Sequence, residues 1–151
     1  MRAVLQRVES ASVSVGDQVA GTIGRGLIVF LGIGTGDSAE DTEWLARKIA
    51  SARIFPDDAG LMNLSVCDIA GEVMVISQFT LFGNMRKGTR PSFNRAAAPE
   101  IAVPLYEKCA ALLERSTGKP VRTGVFGAPM RIEAVNDGPV TLIIDSRDRR
   151  F

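Results

Sequence analysis

Val73-Met74-Val75-Ile76-Ser77-Gln78-Phe79-Thr80-Leu81 is the stretch that decides how the rest of the chain is read. Its four leading apolar residues describe a strand covered on both faces. The run ends in polar side chains, Ser77, Gln78 and Thr80, and then enters a segment from Phe82 to Arg95. That segment carries four basic residues (Arg86, Lys87, Arg90, Arg95), no acidic one, and several glycines or prolines. A buried strand that ends in polar groups beside a basic loop is a place to hold an anionic ligand. Other residues decide whether this edge binds or catalyses.

The 151 residues are read as one domain, 1–151, long enough to bury a substantial core. A net charge of +1 excludes a uniformly basic nucleic-acid binder, so any basic site is local. Cys67 and Cys109 lie in separate apolar segments, without metal-ligand spacing and without the look of a disulfide framework. With no apolar signal core and no run near the roughly 18 residues of a membrane span, a reducing, cytoplasmic location is expected. The chain has no histidine. That removes Ser-His-Asp and Cys-His catalysis and zinc sites built on imidazole. No metal or other cofactor is expected, and any catalysis falls to carboxylates, hydroxyls, lysine, the backbone or the substrate itself.

Outward from the central stretch, residues 2–15 alternate as a strand, with Ala3, Leu5 and Arg7 on one face and Val4, Gln6 and Val8 on the other. The alternation stumbles at Glu9-Ser10, which predicts a bulge or bend. Gly16-Asp17 turns the chain into a second strand, Val19 to Ile23, and Leu27 to Ile33 is a continuous apolar run. Ser38 with Asp41 forms a variant capping box for a helix whose stripe is Trp44, Leu45, Lys48, Ile49 and Ala52. A second helix opens after Ala96 to Pro99, with regular structure expected near Pro104. Its stripe is Leu105, Cys109, Leu112 and Leu113, and it stops at Gly118. Val121 to Phe126, Met130 to Val135 and Val140 to Ile144 read as three further strands. The fold class is α+β: a largely antiparallel sheet or partial barrel with two packed helices.

Each candidate constellation also has a plain structural reading. Ser77, Gln78 and Thr80 end a strand, where polar side chains commonly satisfy local backbone. Thr80 lacks a base, so the unpaired N–H groups of a strand end are the better oxyanion donors. Asn136-Asp137-Gly138-Pro139 reads as a hairpin turn between two strands. The basic residues, interleaved with Phe93, read equally as a phosphate-binding and base-stacking loop or as a solvated one. Arg7 needs a partner if its face is inward. Gly124 to Met130 is a binding loop or a connector.

Three motifs taken together resemble the D-aminoacyl-tRNA deacylase family: the opening Met1 to Val8, Ser77-Gln78-Phe79-Thr80-Leu81, and Asn136-Asp137-Gly138-Pro139-Val140-Thr141. Gly88 to Phe93 adds to the match, and the resemblance runs over nearly the whole chain. It implies a homodimer that hydrolyses the ester between a D-amino acid and the terminal adenosine of tRNA, a proofreading activity. It implies that Gly138 and Pro139, joined by a cis bond, reach into the partner's site and face Ser77, Gln78, Phe79 and Thr80. Arg7 would brace the Gly-Pro loop, with Asn136 and Met130 nearby in the substrate-binding set. Arg86, Lys87, Arg90, Phe93 and Arg95 are the expected tRNA contacts, with Arg147, Arg149 and Arg150 as alternatives. Such a filter excludes the L-enantiomer by its Cβ and lets glycyl-tRNA through. A non-catalytic tRNA-binding dimer is the rival reading.

Overall fold

Strand β1 (Arg2–Val15) is the spine of the molecule in the computed structural model, which describes residues 1–149. One edge of β1 is shared by two antiparallel partners. β3 (Gly26–Gly32) lies along Arg2 to Val8, and β2 (Gln18–Ile23) lies along Ala11 to Val15. The other edge runs against β8 (Arg131–Asp145), also antiparallel, from Arg2 to Ser14. β3 then pairs in parallel with β6 (Glu72–Ser77), and β6 in parallel with the short β7 (Arg122–Thr123). The sheet is therefore mixed: antiparallel around β1 and parallel beyond β3.

Parallel neighbours need a long crossover, and the two helices supply them. α1 (Ala39–Ala50) lies between β3 and β6, and α2 (Pro99–Thr117) between β6 and β7. Between α1 and β6 a small antiparallel pair forms, β4 (Phe55–Pro56) with β5 (Met62–Leu64). Ser38 caps α1 as its sequence predicts. Its hydroxyl accepts from the Asp41 N–H, and the Asp41 carboxylate accepts from the Ser38 N–H at 3.0 Å. α2 begins at Pro99 rather than near Pro104. Pro99 takes the first helical position, where a missing N–H costs nothing, and Pro104 is carried inside the helix on an exposed face. Gly118 ends α2 at φ 67°.

Two apolar clusters cover the two faces of the sheet. Ala3, Leu5, Leu27, Val29, Leu31, Val73 and Val75 pack against Leu45 and Ile49 of α1 and Ala102, Tyr106, Cys109 and Leu113 of α2. On the other face lie Val8, Ala11, Val13, Ile28, Met74 and Ile76. The stumble at Glu9-Ser10 explains how β1 serves both. Register against β8 shifts between Val8 and Ser10, so Ala11 and Val13 fall on the face of Val8 instead of that of Ala3 and Leu5. Each fully buried Leu or Ile here contributes about 1.5–3 kcal/mol, so truncating Leu31 or Leu113 would be felt throughout the helix layer.

The C-terminal third corrects the sequence reading most. Asn136 to Pro139 is not a hairpin turn. The segments on either side of it both pair antiparallel with β1 in the same direction, Thr141 opposite Gln6 and Asn136 opposite Val8. Two steps along β1 are thus matched by five along β8, and the excess chain stands out as a bulge within one strand. The expected strands Met130 to Val135 and Val140 to Ile144 are the two halves of β8, and Val121 to Phe126 shrinks to β7. No helix among the described residues is long and apolar enough to cross a membrane.

Candidate active site

The parallel ladder of β3 and β6 carries the central stretch to the edge of the core. Gln78 N–H still donates to the Leu31 carbonyl at 2.8 Å, after which Phe79–Phe82 winds into a single 3-10 turn. Thr80 and Leu81 thus lie in a turn rather than at a strand end. The turn sits directly on the end of β3 because Gly34 has no side chain. A Cβ there would stand 2.7 Å from Phe82 Cε1. Sequence reading passed over Gly34; its signal was a glycine just after a buried strand. Within the turn, Leu81 N–H donates to the Gln78 carbonyl at 3.2 Å and Gly83 N–H to the Thr80 carbonyl at 2.9 Å. The first two N–H groups, those of Phe79 and Thr80, fall outside this pattern, as the leading donors of a helical turn do.

Ser77, Gln78 and Phe79 line a cavity of about 550 Å³. Leu31, Ile33 and Ile76 close its strand side, and Ala96, Ala97, Pro99 and Ala102 bring the start of α2 to it. Phe126, Gly127, Ala128, Met130 and Ile132 form the remaining wall, so the glycine-rich segment before β8 contributes to the cavity. Phe93 also lines the cavity and meets Phe79 edge to face, with ring centroids 5.0 Å apart. No lining residue is an acid, a base or a cysteine. Behind the wall, Tyr106 donates its hydroxyl to the Val75 carbonyl at 2.7 Å, and burial pushes its phenol up to about 12, so it remains a donor. Thr80 is exposed, lies outside the lining, and its hydroxyl is hydrogen-bonded to the Gln78 side-chain amide. The cavity can hold an apolar or aromatic group, with the leading N–H groups of the 3-10 turn nearby. It has no titratable side chain with which to move a proton.

Arg7 faces inward and is 8% exposed. Its partner is Asp137, whose carboxylate lies 3.0 Å from Nε and whose carbonyl accepts from Nε at 3.1 Å; Nη1 donates to the Ile54 carbonyl. Arg7 therefore ties the base of the β8 bulge to the core. Gly138 follows Asp137 directly, with φ 147°, and the Gly138-Pro139 bond is cis. Asn136, Gly138 and Pro139 are exposed, and none of them lines the cavity of their own chain. The structure thus brings Ser77, Gln78, Phe79, Phe93 and Met130 together, and leaves Arg7, Asn136, Gly138 and Pro139 as a second cluster. Along β8, Val135, Leu142 and Ile143 are 53%, 41% and 48% exposed.

Arg86, Lys87 and Arg90 line a separate groove of about 620 Å³ with Asn84, Ser92 and Asn94. Arg95 lines a neighbouring groove with Arg86. The C-terminal arginines are engaged within the fold. Arg147 lies 3.2 Å from Asp37, and Arg149 sits over the Trp44 ring at 5.2 Å. Arg150 lies outside the described residues. One contact was invisible to sequence reasoning. Arg2 pairs with Asp145 at 2.8 Å and donates through Nη1 to the Leu81 carbonyl at 2.8 Å, holding the 3-10 turn from behind. Burial opposes ionisation of Asp145, but the Arg147 N–H and the Arg2 guanidinium hold its carboxyl below the usual range.

The sequence matches the family described as D-Tyr-tRNA(Tyr) deacylase over residues 4–145. A protein of Opitutus terrae named D-aminoacyl-tRNA deacylase is 57% identical over 149 residues, which span 99% of each chain. A solved structure titled c-Myc DNA Unwinding Element Binding Protein superposes with a TM-score of 0.89 at 38% identity, covering 96% of this chain and 98% of that one. Another, described as a probable eukaryotic D-amino acid tRNA deacylase, has a TM-score of 0.79 at 17% identity over 95% and 97% of the two chains, and shares the fold.

Proposed function

The chain belongs to the D-Tyr-tRNA(Tyr) deacylase family and by that membership is a hydrolase of the D-aminoacyl-tRNA ester; from this premise we propose that it works as a homodimer in which each active site is completed by the other subunit's Gly138-Pro139 bulge. The observation that carries the chemistry is the pair of N–H groups on Phe79 and Thr80 beside a cavity with no titratable lining. The aminoacyl-adenosine end enters that cavity. Water attacks the ester carbonyl carbon, and the resulting oxyanion accepts from the Phe79 N–H and the Thr80 N–H. The ribose 2′-hydroxyl assists the attacking water, because no side chain of the cavity can. The C–O bond to the ribose 3′ oxygen then breaks. That oxygen takes a proton, and the tRNA and the free amino acid leave.

Selection follows from the second cluster. The bulge is exposed and held by Arg7, and the strand carrying it presents Val135, Leu142 and Ile143 to solvent. A second copy seated along that strand covers exposed apolar side chains and brings main-chain groups of the partner's Gly138 and Pro139 beside the substrate Cα. They leave room for hydrogen where an L-amino acid places its Cβ. Glycine passes, so glycyl-tRNA is also cleaved. The basic loop from Arg86 to Arg95 meets the tRNA. A cytoplasmic location accords with the substrate.

The test is ester loss from matched D- and L-aminoacyl-tRNA, with glycyl-tRNA as a third substrate. Cleavage of the D- and glycyl esters with the L-ester intact is the expected result. Salt-sensitive tRNA binding with no ester loss would instead establish the non-catalytic tRNA-binding dimer, which the acid-free basic loop favours.

A further inference from the structure

Two arginines of the basic loop carry charge that the fold does not use. Among the described residues, ion pairs engage Arg2, Arg7, Lys108, Arg131 and Arg147, and none reaches Arg86 or Arg95. Both line one groove of about 620 Å³ together with Arg2, Phe82, Gly83 and Asn84, and no carboxylate of the described residues lines it. Arg2 is matched by Asp145, so the uncompensated charge in the groove belongs to Arg86 and Arg95.

The groove is a held shape rather than a loose loop. Asn84 and Ser92 exchange both backbone hydrogen bonds, at 2.8 and 3.0 Å, closing the loop at its base. Asn84 Oδ1 accepts from the Arg86 N–H at 2.9 Å, which fixes the backbone from which that guanidinium extends and leaves the Asn84 amide N–H groups as donors. The groove also abuts the ester cavity. Phe79 begins the 3-10 turn and lines the cavity, while Phe82 ends the same turn and lines the groove. Arg95 directly precedes Ala96 and Ala97 of the cavity wall.

We propose that this groove is a phosphate subsite that takes the phosphodiester on the 5′ side of the terminal adenosine. The inference rests on the reading above, that the cavity holds the aminoacyl-adenosine. A phosphodiester carries one negative charge and two free oxygens, and guanidinium forks suit such oxygens. A contact one nucleotide away from the ester is the same before and during the reaction. It therefore acts on KM and leaves kcat alone.

The experiment compares two minimal substrates, the D-aminoacyl ester of adenosine and that of the dinucleotide CpA, which differ by the phosphodiester and its 5′ nucleoside. The ratio of their kcat/KM values is read within each protein, so general damage from a substitution cancels. The expected wild-type ratio favours CpA by about tenfold or more, as one charge-assisted contact would give, mainly through KM. It should fall as salt is raised. R86A and R95A should each bring the ratio toward one, and R95K should keep part of the gain. A wild-type ratio near one overturns the subsite, and so does a large ratio that both variants preserve. In either case cleavage of the adenosine ester leaves the deacylase reading standing. Cleavage of neither ester, nor of D-aminoacyl-tRNA, would bring down that reading and the subsite with it.

Discussion

The Phe79–Phe82 turn and the Asn136 to Val140 bulge are both short departures from a strand, yet they are held in opposite ways. The turn is seated on Gly34, braced by Arg2 through the Leu81 carbonyl, and forms part of the wall of its own chain's cavity. The bulge stands away from the sheet, held at its base by the Arg7–Asp137 pair and at its far end by Val140, which packs against the core. The turn is finished within one chain. The tip of the bulge, Gly138 and Pro139, is exposed and lies outside the cavity of its own chain. On the proposed reading the turn supplies the chemistry and the bulge the selectivity, and each half can be broken separately.

The largest expected effect is at the tip of the bulge. Gly138 has φ 147°, and a Cβ there would run into the Val140 backbone nitrogen. Gly138→Ala should lower D-aminoacyl-tRNA cleavage by about 100-fold or more through displaced backbone. The circular dichroism spectrum should stay that of the wild type, because Gly138 and Pro139 at the tip of the bulge are exposed. Loss of the folded spectrum would show that the bulge is instead part of the core's support.

Next comes its anchor. Arg7→Ala leaves the Ile54 carbonyl without its donor and Asp137 without its partner. We expect a loss of about 2 kcal/mol in urea unfolding, discounted for the partial exposure of Asp137, together with reduced activity. Unchanged stability with unchanged activity would mean that the bulge holds its shape without the arginine.

A smaller effect is expected at the brace of the turn, and it depends on pH. The Asp145 carboxyl is held below its usual range, so its contribution is present above the ordinary aspartate value of about 3.9 and is lost as pH falls through the lower folded value. Asp145→Asn should therefore be less stable than the wild type at neutral pH, with the gap closing as acid is added below about pH 4. A gap that stayed constant across that range would remove the carboxylate from the brace. The smallest effect is at Thr80. Its hydroxyl lies outside the cavity lining, and Thr80→Ala keeps the backbone N–H, so activity should stay within about threefold. An acyl group trapped on Thr80 would reverse the assignment and make the threonine a nucleophile.

Much of this was legible locally. The capping box of Ser38 and Asp41, the buried run from Leu27, and the stumble at Glu9-Ser10 all report on neighbours within a few residues, and each is found as read. The missing histidine pointed to backbone donors, and the cavity lining has no titratable group. The errors share one cause. Asn-Asp-Gly-Pro has the composition of a hairpin turn, and only pairing of both flanks with the same face-switching β1 turns it into a bulge. Pro104 has the look of a helix start, yet α2 runs through it.

The sequence by itself determined the alternation of β1, the buried run of β3, the N-terminal cap of α1, the lack of histidine and the acid-free basic loop, because these depend on residue type and close spacing. Tertiary structure alone decided that Asp137 is the residue of the Gly-Pro loop that Arg7 holds, that Arg2 reaches Asp145 and Leu81, and that Phe126 walls the cavity that Ser77 opens onto. Those contacts depend on which strand lies beside which. That choice is set by burying both faces of one mixed sheet at once, and no short stretch of the chain records it.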